Sequence, residues 1–335
     1  MRTNIPLAKT PEHGPLTTSL HIGSLTSPKT VKTSSNGRHL ARAGGWAVRI
    51  LVVLLLLEIV SKFLTAEALK WDLVWSYLFS QKILNGVGLT LFLTTVAMVL
   101  GCVIGLVLAL MRISNSLLLS ATADGYIWLF RGTPLLVQLI FWYNLASFLP
   151  KLSLGVPFGP QFFAVDTNTV ITSLVAAMLG LGLNEGAYMS EIFRAGIQSV
   201  DHGQSEAAAA LGMSRRRAMH RIILPQAMRV IVPPTGNQII SMLKGTSLVS
   251  IIAISELLYT VQVIYARTFE TIPLLVVACI WYLFLTTLLS IGQHYIERYY
   301  AKGATRNVPD SYVTKFTKLF GKPGRPTLAT KEVAH

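Results

Sequence analysis

The chain is 335 residues long, 52% hydrophobic and only 13% charged, with a net charge of +14. That balance lies outside ordinary soluble domains and points to an integral membrane protein. The excess Lys and Arg sit in the tails and one central polar segment with no nucleic-acid signature beside them, so membrane topology accounts for the charge. Cys102 and Cys279 lie in apolar runs without metal or CxxC spacing and read as small core residues.

Residues 1–45 are rich in Ser, Thr, Gly and Pro and carry Lys9, Lys29, Lys32, Arg38 and Arg42 against the single acid Glu12. They predict a disordered basic tail, and the charged lead is far longer than the n-region of a signal peptide. An apolar helix is predicted over 46–65, with Glu58 and Lys62 spaced i, i+4 near its far end. After a polar loop with Lys70, Asp72 and Lys82, a second span covers 86–111 and stops at Arg112. Gly101 and Gly105 form a GxxxG in it, which either eases local packing or makes a dimer face.

The apolar region 117–149 is interrupted by Arg131, Gly132, Thr133 and Pro134. Pro134 removes a backbone donor, which predicts a kink, with Thr133 capping the helix that follows. Residues 134–149 are too few to cross about 30 Å of hydrocarbon. A Gly- and Pro-rich loop is read over 150–168. The fourth span, 169–192, holds Asn184, Glu185 and Tyr188, and Glu191 with Arg194 forms a local i, i+3 ion pair near its end. The fifth span, 230–254, is predicted to break twice, at Pro233, Pro234, Thr235 and Gly236 and again around Lys244 to Thr246. The sixth span is 273–291, and a basic disordered tail follows over 301–335.

Residues 201–225 form a polar, basic interruption between two apolar blocks. Asp201 and Gln204 have capping-box spacing, Gln204 to Leu211 are helix formers, and Gly212 stands where a C′ glycine ends a helix. Ser214 is placed to cap a second short helix that Pro225 closes. The result is a helix, a glycine corner and a helix with an Ala and Leu face and a face of Arg215, Arg216, Arg217 and Arg221. Such a device suits the grip of a partner.

Glu206, Ala207, Ala208, Gly212, Ile222, Leu224 and Pro225 stand at the spacing of the EAA motif, and the segment resembles the coupling segment of bacterial ABC importer permeases. The flanks narrow the resemblance to the polar amino-acid permease branch: Arg131-Gly132-Thr133-Pro134-Leu135 with Gln138, Asn184-Glu185-Gly186-Ala187-Tyr188 with Glu191 and Arg194, and Lys244-Gly245-Thr246-Ser247-Leu248. The resemblance covers roughly residues 83–300 and implies an all-α integral membrane fold, a family core of five spans to which the helix at 46–65 adds a sixth. It implies ATPase subunits that grip the coupling segment, an extracytoplasmic amino-acid-binding protein and a second permease copy, identical or related. ATP and Mg would be bound by the partner ATPase, with no cofactor in this chain.

About six spans place both tails and the coupling segment on one side of the bilayer. That side carries nearly all the Lys and Arg, whereas the opposite loops are balanced, Lys151 with Asp166 and Arg267 with Glu256 and Glu270. The positive-inside rule puts the basic side in the cytoplasm of a cell bounded by an inner membrane.

No GxxxxGK[ST], HExxH, GxSxG or Cys/His cluster is present, so neither ATP hydrolysis nor another catalytic reaction is expected of this chain. Ionisable residues inside a membrane are costly and functional by default. Glu185 and Asn184 are therefore candidates for contact with a substrate ammonium, against a helix-to-helix hydrogen bond or a protonated structural carboxyl. Asn237, Gln238, Thr246 and Ser247 are candidate lining of the broken fifth span. The rival reading is an ion-coupled amino-acid carrier that uses Glu185 as a proton site and needs no ATPase.

Overall fold

The structure, a computed structural model, describes residues 35–156 and 160–301, so that of the tails read at 1–45 and 301–335 the parts 1–34 and 302–335 lie outside the described residues. The chain divides at Thr65 into two units. In the first, helix α1 spans Ser35–Leu64. It starts at Ser35 and not at residue 46, so that residues 35–45, read as disordered tail, are helical; Arg38, Leu40, Ala41, Arg42 and Ala43 are good helix formers. The expected pair of Lys62 and Glu58 closes at 2.8 Å.

The second unit opens on a helix where a loop was expected. In α2 (Trp71–Leu78), Val74 and Leu78 at i, i+4 are buried. They pack with Leu274, Val277 and Ala278 of the last helix, and Trp281 Nε1 donates to Leu78 O at 2.8 Å. Lys70, just before α2, pairs with Glu270. Helix α3 (Gln81–Ile113) follows, then α4 (Leu117–Gly132), α5 (Leu135–Tyr143) and α6 (Leu145–Phe148).

The predicted break at Thr133 and Pro134 is present, both residues being extended between α4 and α5. Its chemistry differs from expectation. Thr133 turns its hydroxyl back to Leu129 O at 2.8 Å and does not cap α5. The segment read as loop contains a hairpin, β1 (Lys151–Gly155) paired antiparallel with β2 (Gln161–Asp166), with Lys151 opposite Asp166. Alternating apolar residues in Leu152, Leu154, Phe163 and Val165 support strands that the Gly and Pro content obscured.

A single turn, α7 (Thr167–Val170), leads to α8 (Ser173–Gln198), capped by the Thr172 hydroxyl, which accepts from Val175 N at 3.4 Å. Helix α8 lies along α3 through reciprocal small residues. A β-carbon on Gly105 would stand 2.6 Å from Met189 Cβ, and one on Gly186 would stand 2.6 Å from Ile104 Cγ2. The GxxxG is thus consumed by packing within the chain.

After α9 (His202–Ala210) and α10 (Arg215–Ala218), a π-helical turn over Met219–Ile223 runs into α11 (Leu224–Gly245). Pro225 does not close the second short helix. It occupies the first turn of α11, where a missing N–H costs least. Nor do Pro233 and Pro234 break the fifth span, since α11 runs through both. Neighbouring groups stabilise that stretch: Thr235 Oγ1 donates to Ile231 O at 2.8 Å and Gln293 Nε2 to Pro233 O at 3.2 Å. The second predicted break is real and lies a little later. A 3-10 segment, Thr246–Ile252, ends at Ala253 with φ 59°, and the chain turns into α12 (Leu257–Thr268) and then α13 (Thr271–Ala301).

Among the described residues, α3 and α13 are long and apolar enough to cross a membrane alone, and the run Arg215–Ile252 with α12, bent by 46°, makes a third. Helix α8 has the length but is diluted by Asn184, Glu185 and its glycines, and α4 and α5 are each short and meet at the proline break. The expected count of six spans thus exceeds the two or three that length and composition support among the described residues.

Candidate functional site

The helix, glycine corner and helix expected around Gly212 are present, with only some of the expected caps. Asp201 caps α9, its carboxylate accepting from Gly203 N at 2.7 Å. Gln204 does not complete a capping box; its Oε1 accepts from Gln226 Nε2 at 3.2 Å and ties α9 to α11. At the other end Gly212 has φ 70°, and Met213 N donates to Ala208 O at 3.0 Å, a Schellman closure that needs the left-handed conformation. Ser214 precedes α10 without a side-chain cap.

Ala208 and Ala218 are buried between the short helices, while Glu206, Ala207 and Pro225 are exposed and Ile222 and Leu224 half-buried. Leu211, beside the corner, is 79% exposed. It gives the short helices one large apolar side chain in the open. The sequence motif did not single out Leu211, since the signal is its exposure and not its spacing.

The intramembrane candidates separate into two groups. Asn184 is held structurally: its Nδ2 donates to Phe130 O at 2.9 Å and Gln138 Oε1 at 3.2 Å. Gln138 Nε2 in turn reaches Phe130 O, Thr133 O and Thr133 Oγ1 at 2.7–3.1 Å. These two amides satisfy the carbonyls that α4 leaves open at the Thr133–Pro134 break, so that Asn184 stitches α8 to α4 and α5. Glu185, one residue on, differs. It is 5% exposed, and its Oε1 is buried with no hydrogen-bond partner. That oxygen makes no helix-to-helix hydrogen bond among the described residues.

Tyr188 is 37% exposed, and the Arg131 guanidinium lies 5.3 Å from its ring centre, a cation–π contact. Gly132 ends α4 with open space at its α-carbon. On α11, Asn237 accepts from Gln293 Nε2 at 3.1 Å and Gln238 is half-buried. Thr246 is fully buried, and Thr246 and Ser247 donate to Leu243 O and Lys244 O. Asn184, Glu185 and Tyr188 lie together on α8; Asn237 and Gln238 of α11 and Thr246 and Ser247 of the 3-10 segment form a separate set with no bond to them among the described residues.

Two polar centres were not legible in the sequence. Glu191 pairs with Arg194 as expected, at 2.8 Å, but also with Arg112 at 2.6 Å and Arg131 at 3.5 Å, and Arg112 reaches Asp124 at 2.5 Å. One carboxylate thus joins α3, α4 and α8. Glu256, expected as a balancing charge in an outer loop, is fully buried. It caps α12 by accepting from Leu258 N at 2.9 Å and Tyr259 N at 2.7 Å, and it also receives Tyr282 OH at 3.0 Å. Long-range partners, invisible to local spacing, define both.

The helical fold, with two or three helices apolar enough to span a bilayer, a buried carboxylate on α8 and an exposed helix–glycine–helix corner, is that of a multi-helix membrane protein. Residues 101–302 match the family model described as the binding-protein-dependent transport system inner membrane component. The chain belongs to that family. It is 43% identical over 309 residues to the arginine transport system permease protein ArgU of Corynebacterium glutamicum, covering 91% of this chain and 94% of that one. It is 38% identical over 232 residues to the L-cystine transport system permease protein TcyB of Bacillus subtilis, covering 69% and 91% of the two chains. Among solved structures it matches an amino acid ABC transporter with histidines at TM-score 0.55 and 34% identity, covering 65% of this chain and 93% of that chain.

Proposed function

We propose that this chain is the translocation subunit of an ATP-driven importer of polar amino acids, with arginine the first substrate to test. The observation that carries the reading is the Gly212 corner, which stands at the EAA positions and presents Glu206, Ala207 and Leu211 outward. An ATPase chain grips this projection, Leu211 entering an apolar groove while Glu206 meets a basic or polar group at its rim. The partner ATPase supplies ATP and Mg binding. An extracytoplasmic amino-acid-binding protein delivers substrate, and a second permease copy completes the pore.

In this reading the tails and the coupling segment face the cytoplasm of an inner membrane. Glu185 supplies the negative charge that meets the ammonium or guanidinium of the passing substrate. It is covered in this conformation, so substrate reaches it only when the neighbouring helices shift during alternating access. A relative named for arginine transport supports a cationic substrate, for which an unpaired buried carboxylate is the expected chemistry.

The test is reconstitution of the full chain with its ATPase and binding protein in liposomes. Uptake of labelled arginine that requires internal ATP and the binding protein is expected. Uptake that persists with the ATPase omitted and follows an imposed proton gradient would establish the ion-coupled carrier instead.

A further inference from the structure

A cavity of about 470 Å³ with a mixed polar and apolar lining opens between α2, the first turn of α3 and α12, remote in sequence from the coupling segment and from Glu185. Its lining includes two cations, Lys82 and Arg267, two phenols, Tyr77 and Tyr259, and the amide of Asn85, beside the apolar Val263. No carboxylate lines it. The acid closest to Arg267 in sequence, Glu270, is engaged by Lys70, and Lys82 and Arg267 form no ion pair among the described residues. Asn85 turns its Oδ1 to Gln81 Nε2 at 2.9 Å, leaving its amide N–H groups as donors.

The depth of the cavity follows from α3. Lys82 and Arg112 stand near opposite ends of this helix, about 30 residues or 45 Å apart, which is the thickness of a bilayer with its headgroups included. Lys82 and the cavity beside it therefore lie at headgroup level. Tyr77 and Tyr259 are the amphipathic residue type expected there, and Trp75 and Phe79 on the adjoining turn are 61% and 66% exposed. The geometry points to a binding site for the phosphate headgroup of an acidic phospholipid, with Lys82 and Arg267 on the phosphate, Asn85 and the phenols on its ester and glycerol oxygens, and the acyl chains along the exposed apolar surface of α2 and α3. Two cations near an anionic phosphate, with no competing acid, give the selectivity for charge.

The full chain, purified in detergent, is titrated with dioleoyl phosphatidylglycerol and with dioleoyl phosphatidylcholine, and bound lipid is counted by native mass spectrometry. The wild type is expected to retain phosphatidylglycerol at about tenfold or more lower concentration than phosphatidylcholine. Lys82→Gln with Arg267→Gln should remove that preference, and the charge-keeping pair Lys82→Arg with Arg267→Lys should keep it. Equal retention of the two lipids by the wild type, which needs no variant to fold, would overturn the site. So would a preference unchanged in the Gln pair. Displacement of phosphatidylglycerol by millimolar inorganic phosphate would assign the cavity to a soluble anion and overturn the lipid reading.

Discussion

Gly101 of α3 and Glu185 of α8 approach so closely that a β-carbon on Gly101 would stand 2.5 Å from Glu185 Cγ and 2.8 Å from its Cβ. The small residue sets the depth at which the carboxylate is held, and the two positions are one feature. Gly101→Val should therefore separate α3 from α8 and destabilise the purified protein by about 1–3 kcal/mol, the cost of overpacking a close contact. Thermal unfolding in detergent measures it. Gly88→Ala, where a β-carbon meets nothing within 4 Å, should be neutral. Equal melting of Gly101→Val and wild type would show that the interface gives way freely.

Glu185→Gln keeps the side-chain volume and removes the charge. Because Glu185 Oε1 has no bond to lose, the variant should fold and assemble at wild-type level while arginine uptake falls about tenfold or more or selectivity shifts toward neutral amino acids. Uptake kinetics with a panel of competitors decide this. Unchanged kinetics and selectivity would return Glu185 to a structural role.

Gly212→Val forces a β-branched residue into a left-handed conformation, a strain of about 1–2 kcal/mol, and should misalign α9 against α10. Glu206→Lys changes the sign of an exposed charge without touching the fold. Both variants should insert at normal abundance and lose uptake together with substrate-stimulated ATP hydrolysis. Wild-type uptake by both at equal expression would remove the coupling role.

Glu256→Ala should destabilise the chain by about 1–3 kcal/mol, since the N–H groups of Leu258 and Tyr259 and the hydroxyl of Tyr282 lose a buried acceptor. Glu256→Gln, which keeps one acceptor oxygen, should cost less. Melting temperatures in the order wild type, Gln, Ala test this; an Ala variant as stable as wild type would mean that water replaces the carboxylate.

Cysteines placed at positions 155 and 216 report the orientation. A membrane-impermeant maleimide applied to intact cells should label position 155 on the hairpin and spare position 216 in α10. Labelling at 216 would reverse the topology.

The sequence carried the local features well, and the reason is physical. Asp201 as a cap, Gly212 in the left-handed region and the break at Thr133 and Pro134 depend on backbone rules that act within a few residues. What escaped was decided by distant partners. Pro233 and Pro234 look like a break until α13 supplies Gln293, and Glu256 looks like a loop charge until Tyr282 closes over it. The clamp of Arg112 and Arg131 on Glu191 likewise joins residues from three helices. In the site, spacing identified Glu185 and Asn184 together, and only the hydrogen bonds distinguish them, one amide satisfied and one carboxylate left open.

The unbroken passage from α10 through the π-helical turn into α11 makes a single rod from Arg215 to Gly245, about 45 Å long. In the proposed coupling role that rod is a lever. With Gly236, about two-thirds of the way along, as the fulcrum, where a β-carbon would stand 2.7 Å from Gln293 of α13, a sideways push on the longer arginine arm swings the short Thr246 end the opposite way. If the segment couples to an ATPase as proposed, the Gly212 corner, between α9 and the rod, is the joint at which the stroke would enter.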